Sequence, residues 1–207
     1  MIEKIKQNRE ALKKLFDRVE ATHQKGNPLL VDEALENAVS LISACAAAGG
    51  KVIFIGNGGS AAIASHMATD FWKNVGVKAI SFNDSVLLTC LSNDEGYSHV
   101  FEKPIEMFAH SKDLLLAISS SGKSENIIRG VDAVYEKGGK AITFSGFTPD
   151  NPLRRKGEIN FYVPASHYGH VEVIHHALCH CLIDVMIADK NKLLHKPKLT
   201  EKVLSHE

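Results

Sequence analysis

The chain has 207 residues, of which 44% are apolar and 23% charged. That balance excludes disordered, collagen-like and disulfide-scaffold proteins, and the length fits one domain with a sizeable core. The 24 basic and 24 acidic residues cancel to a net charge of zero, so neither nucleic acid nor a membrane surface is an expected partner.

The first elements read as helical. Ile2, Ile5, Leu12, Leu15, Phe16 and Val19 recur at helical spacing among charged residues until Asn27-Pro28 breaks the pattern. A second helix over about 30–48 carries Leu30, Ala34, Leu35, Val39 and Ile42 on one side and closes at Gly49-Gly50. Residues 1–50 therefore read as a helical pair within the same domain that also serves as an oligomer interface. From Lys51 onward short apolar runs alternate with helices. The runs are Val52–Ile55, Val77–Phe82, Leu114–Ile118, Ala141–Phe144 and Ile159–Val163; the helices span about 60–73, 97–109, 124–137 and 170–189. This alternation predicts an α/β fold with a five-stranded parallel sheet covered by helices on both faces. Residues 51–190 form its body, and the Lys-rich residues 191–207 read as a peripheral tail.

Cys45, Cys90, Cys179 and Cys181 form no CxxC pair, which points to a reducing compartment. The start MIEKIKQNREALKK is charged throughout, unlike a signal peptide, and no apolar run is expected to approach the ~18 residues of a membrane span. A cytoplasmic protein is expected.

In an open parallel sheet, ligands bind beyond the carboxyl ends of the strands. After the first run stands Gly56-Asn57-Gly58-Gly59-Ser60-Ala61. It imitates the dinucleotide fingerprint, but Asp84, the nearest strand-end acid, comes too late for a ribose ligand. Asn57 and Ser60 add hydrogen-bonding side chains to a helix start, which suits a hydroxylated ligand. After the third run stands Ser119-Ser120-Ser121-Gly122-Lys123-Ser124. A P-loop would need glycine at 117, where this chain has alanine. Exposed amides, a positive helix end and four hydroxyls instead make a phosphate nest.

Two helical clusters complete the chemistry. His66 and Asp70 are four apart; Glu172, His176 and His180 repeat at the same interval on the last helix, with His175 and Cys179 on a neighbouring stripe. Imidazoles and carboxylates in this pattern suit either a zinc site or an acid–base pair.

Val52–Ser60, Leu91-Ser92-Asn93-Asp94 with Gly96-Tyr97, and Ala117–Asn126 together resemble the sugar isomerase (SIS) domain. More narrowly, the chain resembles the phosphoheptose isomerases from the N-terminal helices to about Ala188. The resemblance implies a flavodoxin-like sheet, a homotetramer, and a phosphosugar site lined by Asn57, Gly58, Gly59, Ser60, Asn93, Asp94, Ser119, Ser120, Ser121, Ser124 and Glu172. It also implies one zinc ion per subunit on His66, Asp70, Glu172 and His180, where members commonly carry His, Glu, Gln and His. The implied reaction is aldose–ketose isomerisation through a cis-enediol, with sedoheptulose 7-phosphate as substrate. Asp70, Glu172 and His180 are the candidate catalytic residues. Two alternatives belong to other classes: a non-catalytic tetrameric scaffold for the replication initiator, and a sugar-phosphate sensor without turnover.

Overall fold

The computed structural model describes residues 1–194, with side chains to Asp189. Helix α1 (Ile2–Phe16) leads into a short hairpin, β1 (Glu20–His23) and β2 (Pro28–Leu29), before α2 (Val31–Ala47). The hairpin corrects the reading of the first stretch as helical up to Asn27-Pro28. Val19 and Ala21 are buried, but as the approach to a strand and part of it, not as helix positions. The chain turns through Gly26, with the His23 amide donating to the Asn27 carbonyl at 2.9 Å. β1 then pairs antiparallel with the last strand, covering a sheet edge that would otherwise stand open.

The five expected strands all form: β3 (Val52–Gly56), β4 (Ala79–Ser81), β5 (Leu114–Ser119), β6 (Lys140–Gly146) and β7 (Ile159–Val163). They are mutually parallel, and with the hairpin they make a mixed seven-stranded sheet in the order β2-β1-β7-β6-β5-β3-β4. Alternate side chains feed two cores. Phe54, Leu116, Ile118 and Phe144 point to one face, while Ile53, Ile55, Leu115 and Ala117 point to the other. Burial on both faces explains why these runs are almost uninterruptedly apolar.

Helices α2, α3 (Gly59–Asp70) and α7 (Tyr168–Leu194) cover the first face. Helices α4 (Ser85–Asp94), α5 (Glu102–Phe108) and α6 (Glu125–Glu136) cover the second. The chain-order reading has no counterpart of α4. Its start is nevertheless encoded, because the Asp84 carboxylate accepts from the Val86 and Leu87 amides at 3.0 and 3.1 Å. The expected helix over 97–109 divides into a 3₁₀ turn at Tyr97–His99 and α5.

By length and composition α7 would cross a bilayer. Its apolar stripe, however, is core: Val171, Ile174, Leu178, Leu182 and Met186 pack against the sheet side. The helix continues to Leu194, and the rest of the expected tail, 195–207, lies outside the described residues.

Candidate active site

The sheet order places β4 on one side of β3 and β5 on the other, so the chain leaves these two central strands in diverging directions. That topological switch opens a crevice at the strands' carboxyl ends. A cavity of 320 Å³ lies there. The loop after β3 supplies Asn57, Gly58, Gly59 and Ser60; the loop after β5 supplies Ser119, Ser120, Ser121 and Ser124; Tyr168 and Glu172 come from α7.

Two helices begin at this cavity, and no side chain caps either start. Gly58 stands before α3 at φ +54°, a conformation open to glycine. Ser124 stands before α6 and accepts a hydrogen bond from the Ser119 hydroxyl at 3.2 Å instead of capping the helix. The first-turn amides and the positive ends of both helices thus face the crevice. Within the serine loop, the Ser121 oxygen accepts from the Lys123 amide, while the Ser120 hydroxyl is buried and has no partner. A buried hydroxyl of this kind on a cavity wall suits an anionic oxygen.

Asn57 is already engaged. It exchanges a reciprocal pair of amide hydrogen bonds with Asn126, both 2.9 Å, and its oxygen also accepts from the Tyr97 hydroxyl at 2.8 Å. It ties the β3 loop to α6 and the 3₁₀ turn. The sequence reading missed Asn151, which is fully buried behind the serine loop. Its amide donates to the Ser145 hydroxyl and to the Gly146 and Thr148 carbonyls, its oxygen caps Arg154, and the adjacent Leu153 amide holds the Gly122 carbonyl at 3.1 Å. The Asn-Pro pair at 151–152 is the turn signal that could have revealed it.

Glu172 is the hinge of the arrangement. It lines the serine cavity and also a second, more open cavity of 370 Å³ bordered by His66 and His176. Its carboxyl lies so close to the start of α3 that a Cβ on Gly59 would stand 2.5 Å from Glu172 Cδ. An anionic group at a helix N-terminus is favourably placed.

Beside Glu172, His66, His176 and His180 offer ring nitrogens that all lie within 4.8 Å of one another. Asp70 Oδ2 lies 3.3 Å from His66 Nε2, but Asp70 and Glu172 stand outside the three-imidazole set. His176, absent from the expected quartet, joins it because α7 carries it one turn before His180. Burial pushes the His176 pKa down, and the neighbouring His180 and His66 add to the shift. Nitrogen donors in this number suit a borderline divalent cation such as zinc. His180 belongs to this cluster and not to the wall of the serine cavity. Asn93 and Asp94 are exposed on the last turn of α4, where Asn93 bonds to Asp94, and they are likewise not part of the cavity lining.

The SIS domain family matches residues 9–146, from the first helix through β6. The chain belongs to the SIS-domain family. Within it, a phosphoheptose isomerase of Proteus mirabilis is 36% identical over 168 residues, covering 77% of this chain and 86% of its own length. A solved phosphoheptose isomerase from Francisella tularensis superposes with a TM-score of 0.78 at 26% identity, over 89% of this chain and 97% of that one. One from Neisseria gonorrhoeae gives a TM-score of 0.68 at 30% identity, over 74% and 86%. This SIS chain is thus of the phosphoheptose isomerase type in both sequence and fold.

Proposed function

We propose that the protein interconverts a ketose phosphate and an aldose phosphate, with sedoheptulose 7-phosphate as the ketose and D-glycero-D-manno-heptose 7-phosphate as the aldose. The observation that carries this reading is the joining of two half-sites by Glu172: a serine cavity at two helix starts on one side and an imidazole cluster on the other. The names of the relatives support the heptose phosphate. The serine loop holds the phosphate through Ser120, Ser121, Ser124 and the open amides, which sets which carbons lie beside Glu172. The turn built on Asn151 keeps that loop in place, and Asn57 ties the β3 loop to α6.

Glu172 takes the proton from the carbon next to the carbonyl, leaving a cis-enediol. The oxygens exchange a proton, and the former carbonyl carbon regains one from the same carboxyl. Positioned acid–base groups of this kind contribute about 10²–10⁴-fold in rate. His66, His176 and His180 would hold a zinc ion, with Asp70 beside His66, and such an ion would supply Lewis-acid polarisation of a carbonyl. We further infer a homotetramer, supported by the exposed Met1, Ile2, Ile5 and Phe16 at and along α1, and a cytoplasmic setting, supported by four cysteines that are all free.

The test is incubation of the purified protein with sedoheptulose 7-phosphate in D2O, with and without zinc, followed by NMR. Aldose product carrying deuterium at its C2 is expected, together with a tetramer by light scattering. Absence of aldose under both conditions overturns the isomerase reading, and a monomer overturns the assembly.

A further inference from the structure

We propose that His176 is a metal ligand, so that this chain holds a divalent cation through three imidazoles, His66, His176 and His180, with Asp70 orienting His66 and Glu172 left free of the metal. The inference rests on the metal reading of the same site, but it changes both the ligand set and the charge at the ion.

The geometry comes from two helices. His176 and His180 lie one turn apart on α7, with ring centroids separated by 4.6 Å. His66 reaches them from α3, with centroids 5.2 Å from His176 and 5.5 Å from His180. All three donor nitrogens fall within 4.8 Å of one another, so one ion can reach all three with small side-chain adjustments. The Nε2 of His176 is buried and has no hydrogen-bond partner. A ring nitrogen removed from water in that way is costly, and a cation between the rings supplies its missing partner. Asp70 Oδ2 lies 3.3 Å from His66 Nε2, so an ion in this proposal would take the ring's Nδ1, with the carboxylate on the other nitrogen as in the arrangement that orients metal-binding imidazoles.

Three neutral imidazoles leave the full double charge on the ion. A site built from two imidazoles and two carboxylates would neutralise it. The three-histidine set therefore makes the ion the stronger Lewis acid and leaves Glu172, which faces both cavities, available for protons. All-imidazole donors select zinc, nickel, cobalt or copper over magnesium and calcium.

Zinc titration of the purified apo-protein against a chromophoric chelator tests this without substrate. The wild type is expected to take one zinc per subunit. Loss of an outer-shell carboxylate partner typically weakens a site about 10–100-fold, so Asp70→Asn should fall in that range and His176→Ala should lose at least as much. Glu172→Gln should bind zinc as the wild type does. His176→Gln gives a second reading of the same position should the alanine variant fail to fold. X-ray absorption at the zinc edge of the wild type needs no variant and should count three imidazoles. Wild-type zinc affinity in folded His176→Ala or His176→Gln, a strong loss in Glu172→Gln, or two imidazoles at the edge would each overturn the proposal. Isomerisation by a protein that binds no zinc would also overturn it while sparing the isomerase reading; a three-imidazole zinc protein without turnover would do the reverse.

Discussion

Replacing Gly59 by alanine would place a methyl group into the junction between the two half-sites. The added Cβ would stand 2.5 Å from Glu172 Cδ and 2.6 Å from its Oε1. Comfortable non-bonded contacts between heavy atoms begin near ~3.5 Å, so the carboxylate must retreat by about 1 Å. The clash falls on the far end of a flexible side chain, so it displaces Glu172 without disturbing the backbone. Gly59 is the first residue of α3, where alanine favours the helix by up to about 1 kcal/mol relative to glycine. Stability should therefore hold or rise while catalysis falls. A reacting group displaced by about 1 Å costs on the order of 10²-fold in rate, or about 2.7 kcal/mol of barrier. The assay is kcat/KM for sedoheptulose 7-phosphate beside a thermal melt of the same sample. A folded Gly59→Ala protein with wild-type kcat/KM would refute the placement of Glu172 at the reacting carbon.

Ser120→Ala removes a buried hydroxyl with no partner in the protein, so the melting temperature should hold or rise. A lost hydrogen bond to a charged phosphate is worth about 1.5–3 kcal/mol, or about 10–100-fold in kcat/KM; an unchanged value would remove Ser120 from the phosphate site. His175 supplies the pH dependence of stability. It is fully buried, with Nε2 3.0 Å from the Ser145 carbonyl oxygen, and burial lowers its pKa to about 4. The native state therefore keeps the ring neutral while the unfolded chain takes a proton near its ordinary pKa of about 6.5. Its stabilising contribution is complete above about pH 6.5 and is lost as pH falls toward 4, by about 3 kcal/mol over that window. Urea unfolding between pH 7 and 4 should show that extra loss in the wild type relative to His175→Leu; parallel curves would refute it.

The parallel sheet was legible because its strands are buried on both faces. Val52–Ile55 and Leu114–Ile118 need no alternation, and runs of this kind leave few other readings. The hairpin and α4 were not legible for a different reason. Glu20–His23 is too short to establish a two-residue period, and it becomes a strand only by pairing with the edge of β7, a contact 138 residues away in register between Thr22 and Asn160. α4 contributes only partly buried residues, Leu87, Leu88 and Leu91, so its apolar spacing is diluted by exposed neighbours. Its stronger signal is the Asp84 cap, a carboxylate directly before the helix.

At the site, spacing specified what lies on one helix but not which way two helices turn toward each other. The serine loop and the glycine turn declared themselves because each is a contiguous segment at the end of a strand. The histidine cluster depends on the rotation of α7 against α3. Glu172, His176 and His180 share one side of α7, and the sequence alone is indifferent to which two of the three meet His66. The fold decides that His176 and His180 do so, while the first of the three reaches the start of α3 beside Gly59. One helix therefore carries two duties at a separation of one turn. Its first turn brings Glu172 to the serine cavity, and its next two turns complete the nitrogen cluster. In the proposed reaction, a carboxylate so close to the cluster but outside it exchanges protons with a carbon while an ion held by the imidazoles would polarise the neighbouring oxygen. That division requires α7 to hold one rotational setting. Val171, Ile174, Leu178 and Leu182, buried on the opposite stripe, provide it.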